Sequence, residues 1–325
     1  MSSLISLADE AKATSFDQIP VVDLSNANSP NLEARRAIAQ AIKEACTKVG
    51  FFYVKNHGVS ASLVETAFAA GKNFFDLPID EKMKIDIRKS PNFKGYTALL
   101  SENADPENRG DLHEGFDMGP ESDENIAMSG SNVWPADPGF REAVLPYYDA
   151  VLDLGRTLFR LFALALELPE DFFADKTTQS AAIMRLLHYP PQTGVVDDRV
   201  QGIGAHSDYE CFTILRQDTV PALQVLNNSG KWIDATPMPD TFVVNVGDQL
   251  ARWTNDIFKS TVHRAINRSG VTRYSSPLFF GTDYNVVVEA LPTCVSPERP
   301  SKYEPVLAGD YVKAKLEESY GHVEK

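Results

Sequence analysis

The stretch Ala205–Leu215, AHSDYECFTIL, sets a histidine and an aspartate two residues apart, just ahead of a run of β-formers. On a strand, side chains at i and i+2 share a face. The spacing therefore predicts that His206 and Asp208 project side by side, with Ser207 turned the other way. A neutral imidazole beside a carboxylate suits three roles: gripping a metal, capping a loop, or forming an ordinary hydrogen-bonded pair. What the rest of the chain brings to the same place decides among them.

Around this stretch the texture is β. From about Ala181 the runs AAIMRLLHY, GIGAHSD, CFTILRQ, ALQVL, KWIDAT, TFVVNVGD, STVHRAI and TRYSSPLFF succeed one another, with PPQTG, NNSG and MPD between them as turn signals. Many short strands with such turns predict a sandwich or a barrel. Upstream, IPVVDLS (Ile19–Ser25) and FFYVKNHG (Phe51–Gly58) read as strands. LEARRAIAQAIKEACTK, SASLVETAFAAGKNFFDLP and PGFREAVLPYYDAVLDLGRTLFRLFALALELP carry apolar residues at helical spacing, the last with Pro146 as a site for a kink. Residues 90–135, rich in Asn, Asp, Gly, Ser and Pro, predict an irregular binding loop. AGDYVKAKLEESYGH returns to helix. The expected fold class is mixed α/β (α+β). Residues 1–180 form a mostly helical N-terminal region packed on the core, 181–290 the β core that carries the site, and 291–325 a C-terminal helical extension, together one structural unit.

Composition narrows the partners. The 325 residues are 43% hydrophobic, enough for a substantial core. A net charge of −14 opposes a broad nucleic-acid surface, which needs clustered Lys and Arg. The three cysteines, Cys46, Cys211 and Cys294, are far apart, so neither a disulfide framework nor a CxxC metal site follows, and a reducing compartment fits. The opening MSSLISLADEAKATSF lacks the basic start and apolar core of a signal peptide, and no run reaches the length of a membrane span. The expectation is a cytoplasmic protein with no membrane, nucleic-acid or obligate protein partner. Arg109-Gly110-Asp111 reads as a chance turn.

A third ligand must come from elsewhere in the β region. Of the six histidines, His57, His113, His188, His206, His263 and His322, it is His263 that joins His206 in a β-like segment, apart from His188 in RLLHYPP. Two histidines and one carboxylate on one side of an iron leave three positions free, the facial arrangement of non-haem Fe(II) oxygenases. Ten residues past His263, Arg273 and Ser275 again stand at i and i+2. A guanidinium beside a hydroxyl is a receptor for a carboxylate, and Tyr189, just before Pro190-Pro191, offers a third donor. Taken singly, each of these residues is more often structural than functional. His113, adjacent to Glu114, reads as loop structure, His57 as a turn histidine, His188 as facing away from Tyr189, and Cys211 as a buried thiol.

The HxD pair, a histidine 57 residues on and an RxS ten further resemble the iron- and 2-oxoglutarate-dependent dioxygenases of the isopenicillin N synthase-like family. IPVVDLS and VGFFYVKNHGVS are similar to that family's N-terminal region, GYTALLSENADPENRGDLHEGFDMG to its central segment, and NVGDQLARWTNDIFKSTVHRAIN to the approach to its distal histidine. The resemblance spans about Ile19 to Val288. It implies a double-stranded β-helix, or jelly roll, with flanking helices. It implies Fe(II) on His206, Asp208 and His263, and the cosubstrate 2-oxoglutarate anchored by Arg273, Ser275 and Tyr189. It also implies O2-dependent oxidation of a C–H bond of a small molecule of secondary metabolism, by hydroxylation, desaturation or ring formation, with release of succinate and CO2. Phe116 and Phe279 are implied pocket residues, with Tyr96 a weaker one. One departure stands out: plant members commonly carry an asparagine two before the tyrosine, where this chain has Leu187. Arg185 is then a substitute for that contact, or meets an anionic substrate. Two rivals remain at this level: an oxidase of the same fold that uses O2 without 2-oxoglutarate, and a metal-dependent small-molecule-binding protein without turnover.

Overall fold

The computed structural model describes Leu4 and residues 15–103, 110–121, 130–192 and 201–320. Most of the opening segment, Arg109, the end of the PPQTG turn and His322 lie outside the described residues. Twelve strands make up two facing sheets. They are β1 (Val21–Asp23), β2 (Phe51–Lys55), β3 (Gly95–Thr97), β4 (Glu114–Met118), β5 (Ala182–Tyr189), β6 (Ile203–His206), β7 (Phe212–Gln217), β8 (Leu223–Leu226), β9 (Trp232–Asp234), β10 (Phe242–Val246), β11 (His263–Ala265) and β12 (Arg273–Phe280). The large sheet runs β1-β2-β10-β7-β12-β5-β4-β3 and the small one β6-β11-β8-β9. All pairings are antiparallel except β1 with β2. This is the jelly-roll arrangement, in which two curved sheets wall a cavity.

Strand alternation sorts the residues of the large sheet into two layers. On β12, Arg273, Ser275, Pro277 and Phe279 line the cavity between the sheets. Their neighbours Leu278 and Phe280 enter the hydrophobic core on the other side. On β5 the cavity receives Ile183, Arg185, Leu187 and Tyr189, while Ala182, Met184 and Leu186 join the core.

Helices cover that outer face. They are α1 (Leu32–Lys48), capped by Asn31, whose Oδ1 accepts from Glu33 N at 2.9 Å, α2 (Ala61–Phe75), and α3 (Pro138–Ala165), capped by Asp137. α3 continues unbroken through Pro146. Its apolar stripe sets Phe159 against Phe212 and Phe280, with ring centroids 4.8 and 5.3 Å apart, and Phe162 against Phe212 at 5.0 Å. Such aromatic pairs add about 0.5–1.5 kcal/mol each beyond the area they bury. They back the β7 and β12 strands whose inner faces look into the cavity. No helix of the described residues is long and apolar enough to cross a membrane.

The stretch 90–135 departs from the loop expected there, because it contributes β3 and β4 to the large sheet. EGFDM has weak β-formers at Glu114, Gly115 and Asp117, and it is the register with β5 that makes it a strand. The N-terminal region therefore supplies four strands of the large sheet as well as helices.

The helix layer touches the sheet most tightly at Gly155, where an added Cβ would sit 2.6 Å from the Phe280 ring. Overpacking a filled core costs about 1–3 kcal/mol. Gly155→Ala is expected to lower the melting temperature by an amount consistent with that range, and an unchanged thermal melt would show that α3 shifts freely on β12.

Candidate active site

β6 and β11 are register partners, and His206 stands directly opposite His263. Their ring centroids are 4.4 Å apart, and the edge of Phe51 packs on His263 at 5.1 Å. Each imidazole is oriented by its own chain. Nδ1 of His206 lies 2.8 Å from the Gly204 carbonyl, and Nδ1 of His263 lies 3.1 Å from the Thr261 carbonyl. A carbonyl only accepts, so Nδ1 carries the proton and Nε2 presents a lone pair to the cavity. β6 ends at His206, so Asp208 stands just past the strand rather than on it. Its position is fixed through the backbone, where its carbonyl accepts from Asp248 N at 2.8 Å.

The Asp208 carboxylate divides its two oxygens. Oδ2 accepts from Asn245 Nδ2 at 2.6 Å and from the Thr213 hydroxyl. Oδ1 is left facing Nε2 of His206 at 3.7 Å and Nε2 of His263 at 3.6 Å. The three ligand atoms lie within 4.8 Å of one another and form a group that could hold a metal ion. Two donors each bound about 2.1 Å from one ion stand at most ~4.2 Å apart, so the Asp208–histidine spacings suit a shared ion. Burial by itself would raise the Asp208 pKa, but the two histidines, Asn245 and Thr213 outweigh it and hold the group below the ordinary aspartate value. Burial, helped by His263, keeps the His206 pKa below that of a free imidazole, which favours the neutral, ligating form. Glu210, two residues on, is different. Burial, with Asp208 nearby, pushes it up to about 8, and its carboxylate lies against Gly281, where an added Cβ would fall 2.0 Å from Oε2.

The same cavity, of about 240 Å³, ends at Arg273, Ser275 and Tyr189. Arg273 is 1% exposed. Its Nη1 is 3.5 Å from Ser275 Oγ, its Nη2 donates to Gln217 Oε1 at 3.1 Å, and its plane lies 4.6 Å over the Tyr189 ring. Nε has no partner. Ser275 Oγ is 3.5 Å from the Tyr189 hydroxyl. The direct contacts of Arg273 are neutral, and Asp218 acts on it only through its charge, without an ion pair; a buried cation without a directly bound anion is costly unless a ligand supplies one.

Known proteins frame this geometry. A family model described as 2OG-Fe(II) oxygenase superfamily matches residues 180–282, and one described as non-haem dioxygenase in morphine synthesis N-terminal matches residues 19–137. The 2-oxoglutarate-Fe(II) type oxidoreductase hxnY of Emericella nidulans is 37% identical over 94% of this chain and 91% of its own length. The chain belongs to the 2-oxoglutarate- and Fe(II)-dependent oxygenases. A homoarginine-6-hydroxylase of Oryza sativa subsp. japonica is 35% identical, over 93% of this chain and 97% of that protein. Among solved structures, a full-length Neurospora crassa protein in complex with alpha-KG matches with a TM-score of 0.85 and 32% identity, covering 93% and 96% of the two chains. JOX2, solved with 2OG, Fe and JA, matches with a TM-score of 0.78 and 25% identity, covering 98% and 96%. Fe(II) and 2-oxoglutarate are thus the cofactor and cosubstrate of this oxygenase.

The other anticipated residues divide. Phe279 and Arg185 line the cavity. Phe116 and Tyr96 do not: strand parity turns both to the helix side, which corrects the expectation. Phe116 is fully buried against Phe74 and Phe140 at 5.5 and 4.9 Å. Tyr96 donates to Glu114 Oε2 at 2.5 Å, in a buried group with Lys82 and His188. Arg185 donates to Asp117 at 2.6 Å and to Glu102 at 2.9 Å. Its charge is matched by two carboxylates of its own chain, which removes the reason to expect an anionic substrate there. Leu187 lines the cavity as an apolar surface.

Sequence reading missed Asn245 and Thr213, Gln217, and the group of Asp117, Glu102 and His113. His113, expected to be loop structure, is buried, with Nδ1 2.8 Å from the Gly202 carbonyl and Nε2 3.1 Å from Glu102. Burial would depress its pKa, but Glu102 outweighs that and raises it. The missed signal was available in part: Thr213 follows Asp208 by five residues, on the cavity face of β7. Removing the donor to a ligating carboxylate typically costs about 10–100-fold in metal affinity. Asn245→Ala is expected to weaken Fe(II) binding within that range in an anaerobic titration, and unaltered binding would mean that Asp208 is oriented without it.

Proposed function

We propose that His206, Asp208 and His263 hold the Fe(II), that Arg273, Ser275 and Tyr189 receive the distal carboxylate of 2-oxoglutarate, and that the oxidised C–H bond belongs to a small organic molecule. One observation carries this reading. A two-histidine, one-carboxylate donor set and a buried guanidinium whose hydrogen-bond partners among the described residues are neutral share a single cavity of about 240 Å³. When bound together, Fe(II), 2-oxoglutarate and O2 supply an oxidant for a C–H bond, with succinate and CO2 as the other products.

The chain's own residues position and insulate. Protonation at Nδ1, held by Gly204 and Thr261, keeps both imidazoles ready to ligate through Nε2. Asn245 and Thr213 keep Oδ1 of Asp208 aimed inward. Tyr189 supports the Arg273 plane while Ser275 adds a hydroxyl. Ile183, Phe279 and Phe93 offer apolar surface to the substrate, and Arg185, paired with Asp117, offers a polar edge. Closing such a site to water strengthens every charged contact inside it. The small-molecule reading is supported by relatives whose names or titles concern homoarginine and thymine. We place the reaction in secondary or amino-acid-derived metabolism, in the cytoplasm, and take residues 1–180, 181–290 and 291–325 as parts of one structural unit.

Release of succinate from 2-oxoglutarate by the iron-loaded protein, stimulated by one member of a panel of small organic molecules, tests the whole reading. O2 consumption that ignores 2-oxoglutarate would replace it with an oxidase. Asp208→Ala is expected to abolish turnover and weaken iron binding, and retained activity would remove Asp208 from the ligand set. Arg273→Lys keeps the charge but loses the planar fork. Its KM for 2-oxoglutarate should rise by roughly tenfold or more, in line with the loss of charge-assisted hydrogen bonds, and an unchanged KM would move the anchor elsewhere.

A further inference from the structure

Gln217 is the final residue of β7 and the register partner of Ser275 on β12. It is buried, and its side chain spans the two sheets. Nε2 donates to the Ala235 carbonyl at 3.1 Å, just past β9, and Oε1 accepts from Nη2 of Arg273 at 3.1 Å. The amide can sit only this way round. Turned over, its NH2 would face the guanidinium donors and its oxygen would face a carbonyl, so both contacts would repel. The next residue, Asp218, carries the charge that Gln217 lacks. Its carboxylate accepts from the backbone N–H groups of Tyr274 at 2.6 Å and Val220 at 2.8 Å. Two consecutive residues of one strand end therefore hold two consecutive residues of β12. The neutral amide takes the cationic side chain by hydrogen bond, and the acid takes backbone, acting on Arg273 through charge alone without a direct ion pair.

We propose that Gln217 is a positioning residue for cosubstrate selection: it aims the Arg273 guanidinium at the cavity without neutralising it. A carboxylate of the same length would hold Arg273 more strongly, but it would satisfy the charge internally and leave little for an incoming anion. The amide fixes one edge of the fork and leaves the positive charge, with an Nε that has no hydrogen-bond partner among the described residues, for a ligand carboxylate. The ligand class selected is a 2-oxo acid with a second carboxylate at its far end. This rests on the reading of Arg273 as the 2-oxoglutarate anchor.

The test compares Gln217→Glu, Gln217→Met and Arg273→Ala with the parent protein, each Fe(II)-loaded and kept without oxygen. Calorimetric binding of 2-oxoglutarate is set beside that of 2-oxobutyrate, which lacks the distal carboxylate. Gln217→Glu should melt no lower than the parent yet bind 2-oxoglutarate roughly 30-fold or more weakly, since a buried charge pair already satisfied inside the protein must be broken. Its binding of 2-oxobutyrate should be unchanged. Gln217→Met keeps the volume and removes both hydrogen bonds. In the same titration it should weaken 2-oxoglutarate binding by roughly tenfold, the value of a hydrogen bond to a charged group, and leave 2-oxobutyrate binding unchanged. It also serves if the glutamate variant does not fold. Parent-like 2-oxoglutarate binding in Gln217→Glu and Gln217→Met overturns the proposal, and so does an equal loss for both oxo acids. If Arg273→Ala also binds 2-oxoglutarate normally, the anchor reading itself has failed. If only Arg273→Ala is impaired, the anchor stands and the role of Gln217 falls.

Discussion

The site depends on one antiparallel register: His206 opposite His263, with Asp208 held between their Nε2 atoms. Side chains alternate with a period of two, so a slip of one residue on either strand would turn a histidine out of the cavity. The remaining contacts restrict how these three groups turn. Two backbone carbonyls fix the imidazoles, and an amide and a hydroxyl fix the carboxylate. The donor set is therefore organised before an ion arrives, and little side-chain freedom remains to be lost when it binds.

Charge is distributed along the cavity in a way that favours one kind of ligand. At one end lies the Asp208 carboxylate, flanked by two imidazoles. At the other lies a guanidinium whose contacts are a hydroxyl, an amide and an aromatic face. Glu210, close to the metal end, has its pKa pushed up by burial, so it adds less negative charge there than its formula suggests. An oxo diacid bridges the two ends, with one terminus for the metal and one for Arg273. Another cation of the lining, Arg185, is already paired with Asp117 and Glu102 and shapes the wall instead. The contrast between Arg273 and Arg185, both of which line the cavity, lies in whether a carboxylate of the chain pairs directly with the guanidinium.

The outer layer gives this arrangement its stiffness. β7 and β12 carry Thr213, Gln217, Arg273 and Ser275 toward the inside, and on the reverse side Phe212 and Phe280 lock against Phe159 of α3. A close-packed aromatic layer resists small displacements. The helix layer thereby limits how far the anchor and the metal ligands can drift relative to each other, which matters when reactivity depends on sub-ångström placement.

Much of this was legible in one dimension. The short β-runs after Ala181 and the apolar helical spacing of residues 32–48, 61–75 and 138–165 follow from local periodicity, which survives in a linear chain. His206, Asp208, His263, Arg273 and Ser275 were legible because their spacing and residue chemistry are themselves the signal. Tertiary structure decided the rest. Gly115 and Asp117 form a strand because β5 and β3 pair with them on either side. That strand's parity, invisible without the pairing, sends Phe116 and Tyr96 into the core and Asp117 into the cavity. The partners Asn245, Gln217 and Glu102 lie 37, 56 and 83 residues from the groups they hold. Local sequence encodes which side chains alternate and what chemistry they carry. Which distant donor meets which acceptor is settled only when two sheets close on each other and each buried polar group must find a partner.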